Sequence, residues 1–236
     1  MKDNIVPKGR WNFDGSVSEV FLDMLSRSIP DYRTMRDLAF RVARFFVRSG
    51  STVLDIGCST GLSSQDIIEY CRRVGLDVSF DLVDVSKPMI AKCKEKYAEY
   101  ENVEVLEKDI VAEGIGRKRY SAVISCLTLQ FIPIEYRQKV MSEIYRSLMP
   151  GGVFILVEKV LGNSYAIDDF MVKEYYDIKR ENSYTEEQIA SKRKSLEGRL
   201  VPLTEKMNES LLAASGFRNY DTFWRYLNFC GIVAVK

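Results

Sequence analysis

From Thr52 onward, short apolar runs alternate with amphipathic stretches. The runs fall near 52–56, 79–84, 103–107, 121–126 and 152–158 and are dense in Val, Ile, Leu and Phe. Continuous apolar runs of that length mark strands buried on both faces. Between them, segments near 61–74, 88–99 and 135–148 repeat apolar residues at helical spacing. Met149-Pro150-Gly151-Gly152 reads as the turn from the last of these helices into a strand. The alternation predicts an α/β, Rossmann-like fold, a mostly parallel sheet with helices on both faces. In such sheets ligands lie beyond the carboxyl ends of the strands, where the strand order reverses.

The flanks follow other patterns. Residues 1–15, with Pro7, Gly9 and Gly15, read as a loose arm. Val17, Val20, Phe21, Met24 and Leu25 define a helix from Val17 to Ser26, which Pro30 ends. A second helix runs from Thr34 to Val47, with Leu38, Val42, Phe45 and Phe46 on one side. Residues 1–50 thus predict an N-terminal helical lid over the first strand. Residues 161–200 predict a helical insert, with Asp168–Lys179 and Thr185–Leu200 joined at Asn182-Ser183-Tyr184. Its charged and aromatic side chains suit a solvated hairpin or an oligomer surface. A helix near 204–215 precedes strands at Phe217–Phe223 and Asn228–Val235, a hairpin at the sheet's edge. One domain over residues 1–236 is the expected organisation.

Composition narrows the chemistry. Lys and Arg total 34 against 33 Asp and Glu, a formal charge of +1. No basic excess is present to hold a phosphate backbone, so direct nucleic-acid binding is disfavoured. The absence of histidine removes Ser-His-Asp and Cys-His catalysis and most zinc and iron sites, and no metal is expected. Cys58, Cys71, Cys93, Cys126 and Cys230 are odd in number and never spaced C-x-x-C. That pattern speaks for free thiols in a reducing compartment. No run approaches the ~20 apolar residues of a membrane span, and Met1-Lys2-Asp3-Asn4 opens no signal peptide. The expectation is a cytoplasmic protein without membrane contact.

The sharpest local signal is Val53-Leu54-Asp55-Ile56-Gly57-Cys58-Ser59-Thr60-Gly61, a strand running into a glycine turn. Gly57 and Gly61 let a backbone approach a ligand with no Cβ in the way. The next strand, Phe80-Asp81-Leu82-Val83-Asp84, ends in an acid placed to accept a ribose diol. The glycines are spaced G-x-x-x-G rather than G-x-G-x-x-G, and no P-loop lysine follows. The pattern points to a nucleoside without a pyrophosphate, of which S-adenosylmethionine (SAM) is the common one. Asp55 is a candidate for the methionyl ammonium, directly or through water, or for capping the turn's amides. Asp109 and Ile110 follow the third strand, as adenine contacts or as a helix N-cap and its neighbour. Cys126 ends the fourth strand without a histidine to activate it, which favours a wall thiol over a nucleophile.

Motifs outside this turn resemble one family. Phe13-Asp14-x-x-Val17-x-Glu19-Val20-Phe21-x-Asp23-Met24 and Arg27-Ser28-x-Pro30-x-Tyr32 are similar to the amino-terminal signature of the carboxy-SAM synthases. That family lies within the SAM-dependent methyltransferase superfamily. So do Asp55-x-Gly57-Cys58-Ser59, Thr128-Leu129-Gln130-Phe131, Glu158-Lys159 and Asp177-x-Lys179-Arg180-x-Asn182-x-Tyr184 match it. Ile189-x-x-Lys192-Arg193-x-x-Leu196-Glu197 and Asn228-Phe229 extend the similarity over residues 12–236.

The resemblance implies a homodimer that joins SAM to the carboxyl group released from prephenate, yielding carboxy-SAM and phenylpyruvate. Carboxy-SAM then serves a separate enzyme acting on the wobble uridine of tRNA. By the same resemblance, Tyr32, Gly57, Cys58, Ser59, Asp84, Val85, Asp109, Ile110 and Cys126 contact the SAM moiety. Arg193, in the same or the partner subunit, grips the new carboxylate, with Tyr184 beside it as a second catalytic candidate. From the residues alone Arg193 also reads as a surface charge on a polar helix. The chain departs from the family where Cys126 and Val85 replace usual asparagines. Three alternatives stay open: methyl transfer to a small anionic acceptor, intramolecular cyclisation of SAM, and an idle SAM-binding partner protein.

Overall fold

The computed structural model describes residues 2–236. Five strands are parallel: β1 (Ser51–Ile56), β2 (Val78–Asp84), β3 (Val103–Glu107), β4 (Tyr120–Cys126) and β5 (Leu148–Leu161). β6 (Leu203–Thr204) pairs with the end of β5, while β7 (Asn219–Tyr226) and β8 (Phe229–Val235) add antiparallel. The sheet order is β3-β2-β1-β4-β5-β8-β7. Strand order therefore reverses between β1 and β4, which opens a crevice above their carboxyl ends. Register levels that edge, because Ile56 pairs with Val83 on one side and with Ser125 on the other.

Helices cover both faces, as the strand–helix alternation predicts. On one, α6 (Ile134–Ser147) and α9 (Glu205–Ser215) bury Met141, Ile144 and Leu212 against Leu54, Val123 and Phe154. On the other, α2 (Tyr32–Phe46), α3 (Leu62–Val74) and α4 (Lys87–Lys96) cover Val53, Phe80 and Ile155. α5 (Ile110–Glu113) is a single turn that the periodicity is too short to reveal. The Met149–Gly152 turn is absorbed into β5 as a bulge, since Tyr120 pairs with Leu148 but Ala122 with Val153.

Two flanking segments differ from expectation. The insert forms α7 (Tyr165–Glu181) and α8 (Glu186–Leu196), and α8 stops four residues before the predicted Leu200. Thr185 starts α8 with a reciprocal side-chain cap involving Gln188. The amino-terminal arm is not loose. Asp3 is fully buried and Trp11 nearly so, and the Trp11 amide donates to Ser195 O at 2.9 Å. The arm then enters α1 (Gly15–Ser28), whose first amides are capped by Asp14. Apolar burial of Trp11 and Phe21 with Met24 and Met89 holds the arm down.

Candidate active site

A cavity of about 730 Å³ lies over the carboxyl ends of the strands. The arm, α1, the first residue of α2, the β1, β2, β3 and β4 loops and the insert all contribute to its wall. Tyr32, Gly57, Cys58, Ser59, Asp84, Val85, Asp109, Ile110, Cys126 and Arg193 line it. Gly61 and Tyr184 do not, which places them in packing and support rather than in contact with a ligand; Asp55 does not line it either, but lies just behind its floor.

The loop after β1 turns sharply. Gly57, Ser59 and Gly61 have φ of 70°, 50° and 74°, the left-handed region. The Gly57 and Cys58 amides both donate to Val83 O, at 2.8 and 3.0 Å. A Cβ on Gly57 would meet Thr128 Oγ1 at 2.2 Å. Glycine is therefore needed there for both torsion and space. Gly61 serves packing instead: a Cβ there would strike the Tyr97 ring at 2.5 Å, and Tyr97 donates to Gly61 O at 2.7 Å. Leu127, beside Cys126 in the facing loop, also has positive φ, 57°. Strain of this kind concentrates where surrounding structure over-determines a site.

Asp84 ends β2 with its carboxylate in the wall. Oδ2 accepts from the Ser59 amide at 2.9 Å and Oδ1 from the Ser86 amide at 2.8 Å. Burial nonetheless raises its pKa, outweighing these bonds. Each oxygen keeps a second lone pair for a hydroxyl donor. Asp109 caps α5 through the Val111 amide at 2.8 Å and is exposed at the rim, with Ile110 buried beside it. Val85 is 60% exposed and offers only an apolar surface.

Asp55 sits just behind the floor and is fully buried. Its Oδ2 accepts from Ser64 Oγ at 2.7 Å, while its Oδ1 has no partner. Burial pushes this carboxyl up to about 7, with Asp84 adding to the rise against the Ser64 bond. An orphaned acceptor in a dry place fits an ammonium donor. Burial likewise pushes the Cys126 thiol up to about 12, so it stays neutral and is no nucleophile.

The opposite end is cationic. Lys159, Lys179, Lys192 and Arg193 all line the cavity. Lys192 is 3% exposed and pairs with the buried Asp3 carboxylate. Tyr184 lies behind this pair: its hydroxyl donates to Asp3 Oδ2 at 2.5 Å and meets Ser28 Oγ at 3.0 Å. Arg27 stacks 4.1 Å above the Tyr184 ring and donates to the Asn182 and Ser183 carbonyls, tying α1 to the insert. Tyr184 thus supports the wall rather than facing the cavity. Arg193 is exposed and faces the cavity of its own chain. The sequence reading assigned no role to Lys159, although Glu158-Lys159 and the lysine of Asp177-x-Lys179 stand among the matched motifs.

The structure therefore brings Asp84 and Asp109, over β2 and β3 with Lys108 between them in sequence, and a mainly basic end, over β5 and the insert, into one cavity. β1 and β4 lie between them in the sheet, a separation of about 14 Å from β2 to β5 at ordinary strand spacing.

Comparison with known proteins defines the class. A methyltransferase-domain family profile matches residues 53–152. A SAM-dependent methyltransferase from Aquifex aeolicus superposes with a TM-score of 0.59 at 16% identity, covering 95% of this chain and 99% of that one. The chain has the fold of the SAM-dependent methyltransferases. Whole-length relatives are more specific. A carboxy-S-adenosyl-L-methionine synthase of Methylococcus capsulatus is 38% identical over 96% of this chain and 93% of that protein. One of Desulfotalea psychrophila is 33% identical over 98% and 94%. The chain belongs to the carboxy-S-adenosyl-L-methionine synthase family.

Proposed function

We propose that the chain is a carboxy-SAM synthase, acting on SAM and prephenate. The observation that carries this reading is the two-ended cavity, acidic where a nucleoside diol would sit and basic where carboxylates would. Asp84 would accept from the ribose hydroxyls, with Asp109 and Ile110 at the adenine, and Gly57 to Ser59 along the methionyl part. The orphaned Asp55 oxygen would take the α-ammonium, and Tyr32 and Cys126 would pack beside it. SAM supplies the sulfonium methyl that becomes carboxylated; the prephenate ring aromatises as carbon dioxide and hydroxide leave, and the methyl proton departs with hydroxide as water. Arg193 would hold the new carboxylate through its planar fork. The arm, α1 and the insert wall the cavity on the side away from the sheet.

The whole chain is read as one SAM-binding unit, with residues 1–50 as its lid and 161–200 as its insert. Five free thiols suit the reducing cytoplasm, and the formal charge of +1 suits a small-molecule role upstream of tRNA wobble-uridine modification. Ile167 and Phe170, three residues apart on α7, are both exposed, an apolar spot that supports a homodimer formed through the insert. No helix among the described residues is long and apolar enough to cross a membrane. The test is the product: SAM and prephenate incubated with the protein yield carboxy-SAM and phenylpyruvate by mass spectrometry. Asp84→Ala costs several kcal/mol of SAM affinity, since hydrogen bonds to a charged group are worth about 1.5–3 kcal/mol each. S-adenosylhomocysteine as the sole nucleoside product would replace this reading with methyl transfer.

A further inference from the structure

Two lysines of the cavity, neither with an anion of its own, meet at one aromatic ring. Lys159 lies near the end of β5 and Lys179 in α7, and both line the cavity. Their ammonium groups lie 4.6 and 4.8 Å from the centroid of the same ring, that of Tyr175. Lys179 is 6% exposed and Tyr175 is 7% exposed. Among the described residues Lys192 is paired with Asp3, whereas neither Lys159 nor Lys179 forms an ion pair. Burial lowers the pKa of both, Lys179 to about 8 despite the attraction of Asp3. Two neighbouring ammonium ions repel each other, a cost that a bound anion relieves. The Tyr175 ring offsets part of that cost but leaves the ammonium protons without acceptors. A carboxylate, with two oxygens and about four lone-pair sites, can accept from more than one ammonium.

We propose that Lys159 and Lys179 form a second carboxylate subsite, distinct from Arg193, which takes the 2-oxo-acid carboxylate that the carboxyl donor retains. This rests on the synthase reading of the same cavity. The donor in that reading carries two carboxylates on one short frame, and only one is transferred. The other stays on the arylpyruvate product, so product and donor share the subsite. Arg193, at the exposed rim on α8, serves the transferred group. The division explains why one cavity holds both a planar guanidinium and a pair of lysines without ion-pair partners. It also fixes the face of the donor presented to SAM, because an anchored 2-oxo-acid tail leaves the ring carboxyl free to turn.

The experiment uses the whole protein, with phenylpyruvate and carboxy-SAM as separate calorimetric probes. Lys159→Met and Lys179→Met each weaken phenylpyruvate about tenfold or more, the loss of one charge-assisted hydrogen bond, and shift carboxy-SAM by less than about twofold. Arg193→Ala does the reverse. Lys179→Arg keeps the charge and retains phenylpyruvate binding. Lys179→Met melts at or above the wild-type temperature, since an unpaired charge on a largely buried side chain has been removed. Unchanged phenylpyruvate affinity in both Met variants overturns the subsite, as does an equal loss of carboxy-SAM. The assay with SAM and prephenate separates the two readings. Carboxy-SAM formed with unaltered prephenate KM in both variants leaves the synthase and removes the subsite. Lysine-dependent phenylpyruvate binding without any carboxy-SAM keeps the subsite and removes the synthase.

Discussion

Gly57 and Gly61 look equivalent in the sequence, yet they act on different things. Gly57 faces the cavity at φ 70°, with Thr128 against the place of its missing Cβ. Gly57→Ala imposes the left-handed penalty of about 1–2 kcal/mol and pushes the loop away from Thr128. The expected result is a loss of SAM affinity well beyond the loss of stability. Gly61→Ala drives a methyl into Tyr97 and Cys93 Sγ, 2.5 and 2.9 Å away, and lowers stability first. Calorimetry with S-adenosylhomocysteine, run beside thermal melts, separates the pair; equal effects on both readouts would refute the distinction. The local geometry of a strand–turn–helix made Gly57, Ser59 and Asp84 legible in the sequence, because a few consecutive torsions place them. Lys179 was legible as one of the insert's cations suited to a carboxylate donor, whereas Lys159 and Asp3 were not legible near the site. Charged side chains read as surface by default, and Lys192 meets Asp3 across 189 residues of chain. Asp55 and Tyr184 were recognised by type but not by depth, since burial behind a wall depends on the packed whole.

At the scale of elements, periodicity located the parallel strands and the helices between them. It missed α5, one turn long, and it carried α8 past its end at Leu196. The arm was the larger error. Its polar, glycine-bearing sequence has no period, and its order comes from contacts with α1, α4 and α8. Asp3 is the fastening. Its carboxylate pairs with Lys192 and accepts from Tyr184, its carbonyl accepts from Arg27 at 2.8 Å, and its amide donates to Asp23 at 2.7 Å. Asp3→Asn leaves Lys192 buried without a counter-charge, which costs about 3–5 kcal/mol. Lys192→Met on that background restores most of the loss, because no uncompensated charge remains. Denaturant titration of the two single variants and the double variant measures the coupling. Additive losses would mean that the arm is held by its apolar residues alone, Trp11 foremost.

For the whole molecule, two buried carboxyls shape stability against pH. Burial raises Asp55 from 3.8 to about 7 and Glu158 from 4.5 to about 8, the latter despite Arg137 and the amides of residues 128–130. Between the unfolded and folded values, the folded chain holds protons that the unfolded chain has released. Stability therefore falls as pH rises from about 5 to 8, by at most roughly 1.4 kcal/mol per pH unit for each group. Lys179, lowered from 10.5 to about 8, is charged in both states in the lower part of that window and adds a constant penalty there, which starts to shrink only as pH nears 8. Melting temperature should accordingly decline from pH 5.5 to 8. Asp55→Asn and Glu158→Gln should each flatten part of the decline. S-adenosylhomocysteine should act oppositely at Asp55, because its ammonium favours the ionised carboxyl. The ligand-induced rise in melting temperature then grows with pH in the wild type and loses that growth in Asp55→Asn. A wild-type melting temperature that stays flat or climbs over this range would show that the carboxyls ionise freely inside the fold. In that case the orphaned Asp55 oxygen would not be a dry acceptor awaiting an ammonium.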